Sequence, residues 1–424
     1  MVTVQAAVAL FEAAVVGRLG ADALAGLSVV FPLVMLMQTM SAGGMGGGVA
    51  AAVARTLGAG RREDADRLVV HALVIALVMA ALFTAGLLLG GAALYATLGA
   101  RGDALAAALA YSRVIFGGAA ANWTLSTLAS VVRGTGNMVL PAVVVVGGSA
   151  LAAGLMPALV LGAGPLPALG VAGAAAALVL TQSLGAAVLL AYLASGRGPV
   201  RLSPRGLRLR AALFADILRV GAPSLVNNVL TNLTVVLLTG LVGSFGTRAL
   251  AGYGVGARLE YLLIPIAFGV GSALVAIVGT NVGAGQLARA TRAAWAGAAL
   301  AGGLTGAIGL AAALFPRPWL ALFSADPEVL AVGTAYLRIV GPAYGCFGVG
   351  FALYFASQGA GRLLWPLVAS VARLVVAAGG GWIALRVAGG GLDALFGCMA
   401  AALVVLGAIN AAAVRGGAWR RPAR

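Results

Sequence analysis

Apolar runs long enough to cross a bilayer recur along nearly the whole chain, separated by short polar breaks. A membrane-spanning helix needs about 20 mostly apolar residues. By that measure twelve spans are expected, near 1–17, 24–54, 66–91, 104–132, 138–162, 168–195, 213–242, 249–280, 288–314, 328–357, 364–387 and 393–414. Several of these windows are long enough to imply tilt or extension beyond the bilayer. Ser324-Ala-Asp-Pro-Glu328 offers an Asp N-cap followed by Pro, a start signal for the tenth span.

The pattern repeats. Glu12 to Gly26, EAAVVGRLGADALAG, returns at Leu238 to Gly252, LTGLVGSFGTRALAG, at an offset of 226 (17 to 243). Further on, Gly58-Ala59-Gly60 meets Gly283-Ala284-Gly285, Tyr111 and Arg113 meet Tyr336 and Arg338, and Gly134, Gly136 and Pro141 meet Gly359, Gly361 and Pro366, all at an offset of 225 (134 to 359). Each unit holds six spans, an even number, so both halves enter the membrane from the same side as a parallel repeat. The expected fold is therefore all-α and integral to the membrane, with twelve transmembrane helices in two pseudo-twofold-related six-helix lobes. We expect an N-terminal lobe at 1–195, a basic cytoplasmic linker at 196–212, a C-terminal lobe at 213–414 and a tail at 415–424. The second copy has a helical lead-in, Ala211 to Val236, whose start maps before Met1 on the first, so the first helix reads as truncated. No basic region or cleavage motif of a signal peptide precedes it.

Composition agrees. The chain of 424 residues is 62% hydrophobic and 9% charged, with mean hydropathy +1.06, against about 25% charged in soluble domains. The 27 basic residues are all Arg, and without Lys there is no phosphate-cradling Walker A loop. The net charge of +16 reads as topology rather than nucleic-acid binding. Arg55, Arg61, Arg62, Arg67, Arg133, Arg197, Arg201, Arg205, Arg208, Arg210, Arg289, Arg292, Arg362, Arg415, Arg420, Arg421 and Arg424 fall on one side. Only Arg18, Arg101, Arg248, Arg317 and Arg386 fall on the other. The rich side is expected to be cytoplasmic, with both termini inside. Cys346 and Cys398 lie in expected spans, which argues against a structural disulfide. A lone His71 makes no metal site and reads as structural.

Acidic residues cluster at loops and span ends, except Glu12 and Glu260. A carboxylate at membrane depth costs about 2.5–3.5 kcal/mol on insertion scales, so it ordinarily faces a wet cavity or a partner. Such a group can carry a proton between the two sides or bind a cation. Glu12 also admits a plainer reading, an interfacial residue near the end of a short helix. Glu260 reads equally as a functional charge or as a partner for a residue on another helix; Arg258, two positions away, is not on its face. Asn227 and Thr231, and Asn228 and Asn232, are i,i+4 pairs that make a polar stripe on the seventh span. Asn122 with Ser126 and Thr127, Gln182 with Thr181 and Ser183, and Gln38 are further cavity-lining candidates. Tyr354 joins Phe347, Phe351 and Phe355 in an aromatic wall that serves packing or a substrate pocket. Ser41 to Gly48, SAGGMGGG, spaces glycines for close helix packing or for bending.

VVGRLGADALAG, Leu57-Gly-Ala-Gly60, Val282-Gly-Ala-Gly285, Tyr336-Leu-Arg-Ile339, Arg133-Gly-Thr-Gly-Asn137 and Leu169-Gly-Val-Ala-Gly-Ala-Ala175 together resemble the multidrug and toxic compound extrusion (MATE) family over nearly the whole chain. The resemblance implies two six-helix lobes forming a V around a central cavity. It implies a secondary multidrug efflux antiporter that exports organic cations and amphipathic drugs in exchange for H+ or Na+ by alternating access. Such a protein is no enzyme, needs no cofactor beyond its coupling ion, and is expected as a monomer in the bacterial inner membrane. The family usually places an Asp where Glu12 stands, so an ion-coupling or substrate role carries over to Glu12, with Glu260 as a second charge. A common Asn-x-x-x-Asp-Pro pattern of the fifth span is here Ala152, Met156 and Pro157, which lacks both polar groups. The runner-up is a lipid-linked oligosaccharide flippase of a related branch, against which the scarcity of mid-span Arg argues. A membrane prenyltransferase would need paired Asp motifs for Mg²⁺ and phosphate, and none of the acids is spaced that way within a cavity-facing span. A membrane protein that transports nothing is the last alternative.

Overall fold

A computed structural model describes residues 2–162, 167–202 and 208–419. Arg205 and the tail residues Arg420, Arg421 and Arg424 lie outside these. Among the described residues every regular element is helical. The first unit comprises α1 (Val2–Gly17), α2 (Ala21–Gly58), α3 (Arg62–Thr97), α4 (Gly102–Gly117), α5 (Ala119–Gly134), α6 (Val139–Leu161) and α7 (Val171–Ala194). Then follow α8 (Ala211–Gly243), α9 (Thr247–Gly283), α10 (Leu287–Leu314), the short α11 (Pro316–Leu320), α12 (Pro327–Ala360), α13 (Leu364–Arg386) and α14 (Leu392–Arg415). Among the described residues ten helices are long and apolar enough to span a membrane, α4 with α5 makes an eleventh as a bent pair, and α1 holds a shorter apolar stretch at Ala7–Gly17.

Backbone contacts divide the chain into two compact units, one of Met1–Leu57 with Arg61–Leu218, the other of Gly58–Gly60 with Arg219–Arg424. The first eight residues of α8, 211–218, cluster with the first unit. In that unit α2 packs on α4, α3 on α5, α1 on α6, and α7 on α4, α5 and α6. In the second, α12 is central, packed by α9, α10 and α14, with α13 against α14. Exposed Leu89, Val236, Leu300 and Ile383 on outward faces suit a lipid surround.

The two copies pack alike at their matching glycines. A Cβ on Gly26 would fall 2.7 Å from the Ala104 carbonyl oxygen, and one on Gly252 would fall 2.7 Å from that of Val329. Gly134 lies as close to the Ala50 carbonyl, and Gly359 to that of Val275. Helix backbones can approach this far only where the side chain is a hydrogen. In the Gly-rich stretch of α2, the tight contact falls at Gly46, against Ser130 Oγ, while Gly43 has open space.

Among the described residues four spans depart from plain α-helix. The expected fourth span is broken into α4 and α5 by a 44° bend at Gly118, where the backbone crowds Val179. The tenth tightens into a 3₁₀ turn at Gly341–Ala343, because Pro342 supplies no N–H to the α-helical ladder. The second widens into a π-turn at Met40–Met45, whereas its repeat partner α9 is α-helical throughout. A second π-turn, Val375–Gly379, lies in α13.

Two described residues between α7 and α8, Arg201 and Arg210, bond to α3. The Arg201 N–H donates to Asp66 Oδ1 (2.7 Å), and the Arg210 N–H donates to His71 Nε2 (2.9 Å). His71 is fully buried, its ring centroid 4.7 Å from that of Phe214. Since Nε2 accepts, its proton sits on Nδ1 and bonds the Arg67 carbonyl at 2.7 Å. Arg55, which the sequence pattern groups with the loops, lies in α2 and pairs with Asp216 at 2.8 Å.

Candidate functional site

Glu12 sits inside the apolar stretch Ala7–Gly17 of α1 and is 4% exposed. Its neighbours in sequence, Val15 and Val16, are buried as well. Tyr111 on α4 is 1% exposed and donates its hydroxyl proton to Glu12 Oε1 at 2.7 Å. The close approach at Gly26 and Ala104 holds α2 against α4, and α1 packs on α2 as well as α6, which brings the two side chains together. Burying an acid costs free energy, and a phenol donor recovers part of it. Ala152 and Met156, on the α6 helix against which α1 packs, are buried and apolar, and offer Glu12 no polar partner.

The second copy replaces this pair. Leu238 stands at the position of Glu12, and Tyr336, the counterpart of Tyr111, accepts instead from the Tyr344 hydroxyl at 3.4 Å. Tyr336 also stacks edge-on against Tyr253 and Phe396. The charge of the second unit lies elsewhere. Glu260 on α9 faces Arg373 on α13 at 3.5 Å, with side chains 24% and 13% exposed. Arg258 turns away, over the Phe323 ring at 5.1 Å.

The polar candidates separate into two networks. In the first unit Asn122 Nδ2 donates to Ser41 Oγ (3.1 Å), and the single Ser41 hydroxyl proton lies within reach of two acceptors, Ser126 Oγ (3.2 Å) and the Gln38 backbone carbonyl (3.1 Å). The serines on α5 continue to Arg133, which donates from Nη2 to Ser130 Oγ at 2.7 Å. Arg133 is thus buried, not a loop charge as the span pattern has it. Gln182 is half-buried, its Oε1 enclosed without a hydrogen-bond partner among the described residues.

In the second unit Gln358 Nε2 donates to Ser224 Oγ and to the Tyr354 hydroxyl, both at 2.9 Å, and Ser370 donates to Asn227 Oδ1. Half of the expected stripe on α8 is spent on its own helix. Thr231 donates to the Asn227 carbonyl (2.9 Å) and Asn232 to that of Asn228 (2.8 Å). Tyr354 combines both of its expected roles, since its ring packs on Phe351 and Phe355 while its hydroxyl joins the polar network. Sequence reasoning did not single out Ser41, Ser224, Gln358, Ser370 or Arg373. Tyr111 stood out as a repeat marker, and its offset from Tyr336 was the available signal. Among the described residues no group of three or more His, Cys, Asp or Glu side chains could hold a metal.

A family model described as MatE matches residues 1–158 and 223–383. The probable multidrug resistance protein NorM of Deinococcus radiodurans is 31% identical over 422 residues, covering 95% of this chain and 89% of that protein. The FAD transporter of Shewanella oneidensis is 26% identical over 366 residues, 85% of this chain and 80% of the relative. Among solved structures, an outward-facing multidrug resistance MATE family transporter of the MOP superfamily is 24% identical. It overlays 99% of this chain and 94% of its own with a TM-score of 0.87. A crystal structure of MATE in the bent conformation gives a TM-score of 0.91 over 98% of this chain and 92% of its own.

Proposed function

Since the chain belongs to the MATE family of multidrug resistance transporters, multi-pass membrane proteins that move small molecules rather than transform them, we propose that it is an antiporter exporting amphipathic organic cations against H+ or Na+ by alternating access. The observation that carries the reading is Glu12, a carboxyl buried in an apolar helix whose donor among the described residues is the Tyr111 phenol at 2.7 Å. A buried acid with one partner exchanges between a neutral, proton-loaded form and a charged form that attracts a cation. Proton and drug then compete for one group, which is the requirement for exchange. Glu260, balanced by Arg373, is the second charge, in the other repeat. Gln38, Asn122 and Gln182 in the first unit, and Asn227, Asn228, Thr231, Asn232 and Tyr354 in the second, line the path of the substrate. In this reading the protein works as a monomer in the bacterial inner membrane with its Arg-rich side and both termini in the cytoplasm, in lobes 1–195 and 213–414.

The test is transport of a fluorescent organic cation in proteoliposomes, with a pH gradient and a Na+ gradient imposed separately. Wild type is expected to move the cation with one of them, which names the coupling ion, and Glu12→Gln to stop it. Failure of both gradients to drive movement in folded protein refutes the antiport reading. A fully active Glu12→Gln protein refutes the assigned site.

A further inference from the structure

Two arginines stand within spans at matched positions of the repeat, Arg113 on α4 and Arg338 on α12. Each lies the same distance into its helix, from Gly102 to Arg113 and from Pro327 to Arg338, which is about 17 Å of rise. Measured from a helix start at the membrane surface, that depth falls within a hydrocarbon core roughly 30 Å thick. Both residues are exposed, and among the described residues neither guanidinium has an ion pair or a hydrogen bond. Arg113 does not serve Glu12, because Tyr111, which does, is about 160° away around the same helix.

The face that carries each arginine is unlike a lipid face. Past its first residue, α4 is exposed at Asp103, Ala106, Ala110, Arg113 and Gly117 and nowhere else. These positions are three or four apart, so they form one stripe. The counterparts on α12, at the offset of 225, are Glu328, Ala331, Ala335, Arg338 and Pro342; Ala335 is half-buried, and the other four are the exposed positions of α12 past its first residue. In both copies the stripe ends where the helix breaks, at the Gly118 bend and at the Gly341–Ala343 turn. Neither stripe holds a large apolar side chain, whereas α3 exposes Leu77, Val78, Leu82 and Leu89. A guanidinium at membrane depth faces water or a partner rather than lipid tails. The acids on the same stripes do not neutralise it. Asp103 and Glu328 are about 15 Å back along the helix, and Glu328 is engaged by Arg248 at 2.7 Å.

We propose that this face lines water in each unit, and that Arg113 and Arg338 bind the carboxylate of zwitterionic substrates. This rests on the transport reading above and narrows the cargo from organic cations to compounds that carry an anion as well. An unpaired arginine repels a simple cation, but it matches a carboxylate through two parallel N–H bonds. A phospholipid is the poorer occupant, since Ala, Gly and Pro offer its acyl chains no apolar wall.

The test is gradient-driven uptake of two dyes in proteoliposomes. Rhodamine B carries one delocalised cation and one carboxylate, and its methyl ester keeps only the cation. Wild type should move both. Arg113→Gln and Arg338→Gln should each lower the ratio of rhodamine B uptake to ester uptake about tenfold. Equal losses for the two dyes, or an unchanged ratio, overturn the proposal. Wild type that moves the ester but not rhodamine B overturns it while export of cations stands. Wild type that moves neither dye removes the transport reading and the proposal with it. A second measurement keeps both arginines in place. With Cys346 and Cys398 replaced by Ser, Ala110→Cys and Ala335→Cys should react with a charged, membrane-impermeant maleimide. Val78→Cys, at a position 54% exposed on the apolar surface of α3, should not. Failure of either Ala110→Cys or Ala335→Cys to react denies that face its water and overturns the proposal.

Discussion

The pair Glu260–Arg373 allows a quantitative test of how the second unit holds a charge within its spans. At 3.5 Å and an effective dielectric of about 20, the attraction is roughly 5 kcal/mol before desolvation is counted. Both side chains are mostly withdrawn from water, so desolvation offsets much of that, leaving a net coupling on the order of 1–3 kcal/mol. Removing one partner is costlier than the pair is worth, because the survivor is left as an uncompensated charge at about 3–5 kcal/mol. Glu260→Gln and Arg373→Gln are therefore each expected to destabilise by about 3 kcal/mol, with the double variant recovering about 1–3 kcal/mol of their sum. At roughly 2–4 °C per kcal/mol for a unit of this size, each single variant should lower the melting temperature by about 6–12 °C. Cys346 and Cys398 are unpaired and half-buried, so a thiol-reactive dye reports unfolding directly. Strictly additive single effects would refute the coupling. Single variants as stable as wild type would show that neither charge needs the other.

Three further outcomes are expected. Tyr111→Phe removes the donor to Glu12, a charge-assisted bond worth about 1.5–3 kcal/mol, and should reduce gradient-driven uptake about tenfold or more; unchanged uptake would exclude Tyr111 from the mechanism. Gly134→Ala and Gly359→Ala would each gain about 1 kcal/mol of helix propensity in free solution. Here the added methyl lands within 2.7 Å of a carbonyl oxygen, so both should instead destabilise by about 1–3 kcal/mol, and a raised melting temperature in either would contradict the packing. His71→Ala deprives the Arg210 N–H of its acceptor and Phe214 of its ring partner. Trypsin should then cut faster at Arg208 and Arg210, and an unaltered digestion rate would show that His71 does not hold this segment.

The spans were legible because lipid imposes a long apolar run on each, and the repeat was legible because backbone contact at Gly26, Gly134, Gly252 and Gly359 tolerates no other residue. Asp326 could be read as a cap, and its carboxylate does accept the Glu328 N–H. The break between α4 and α5 was hidden inside an apolar window, since Gly117-Gly118 looks like any other small-residue pair in so Gly-rich a chain. Glu12 was visible as a lone charge, but not its partner, which lies 99 residues away. For the same reason Glu260 could not be assigned to Arg373, 113 residues on. The stripe on α8 was read correctly as one face and too generously as free polar surface. A helix lets Thr and Asn bond the carbonyl one turn back, and spacing alone does not reveal when they do.

The π-turn at Met40–Met45 accounts for a discrepancy of one in the numbering of the repeat. Gly26 and Gly252 are 226 apart, Gly58 and Gly283 only 225, so the first copy holds one residue more between these landmarks. Each pair of landmarks lies in one continuous helix, and between them only the first copy contains a wide turn. The surplus residue is the bulge itself. An added residue carried as regular helix would have turned everything after it by about 100° and taken Gly46, Ala50 and Val53 off the face that meets α5. Confined to one loose turn, it left that face where the sister copy has its own. After the two halves diverged, a gain in one or a loss in the other was thus absorbed within a single turn, and matched glycines far downstream still keep time with each other.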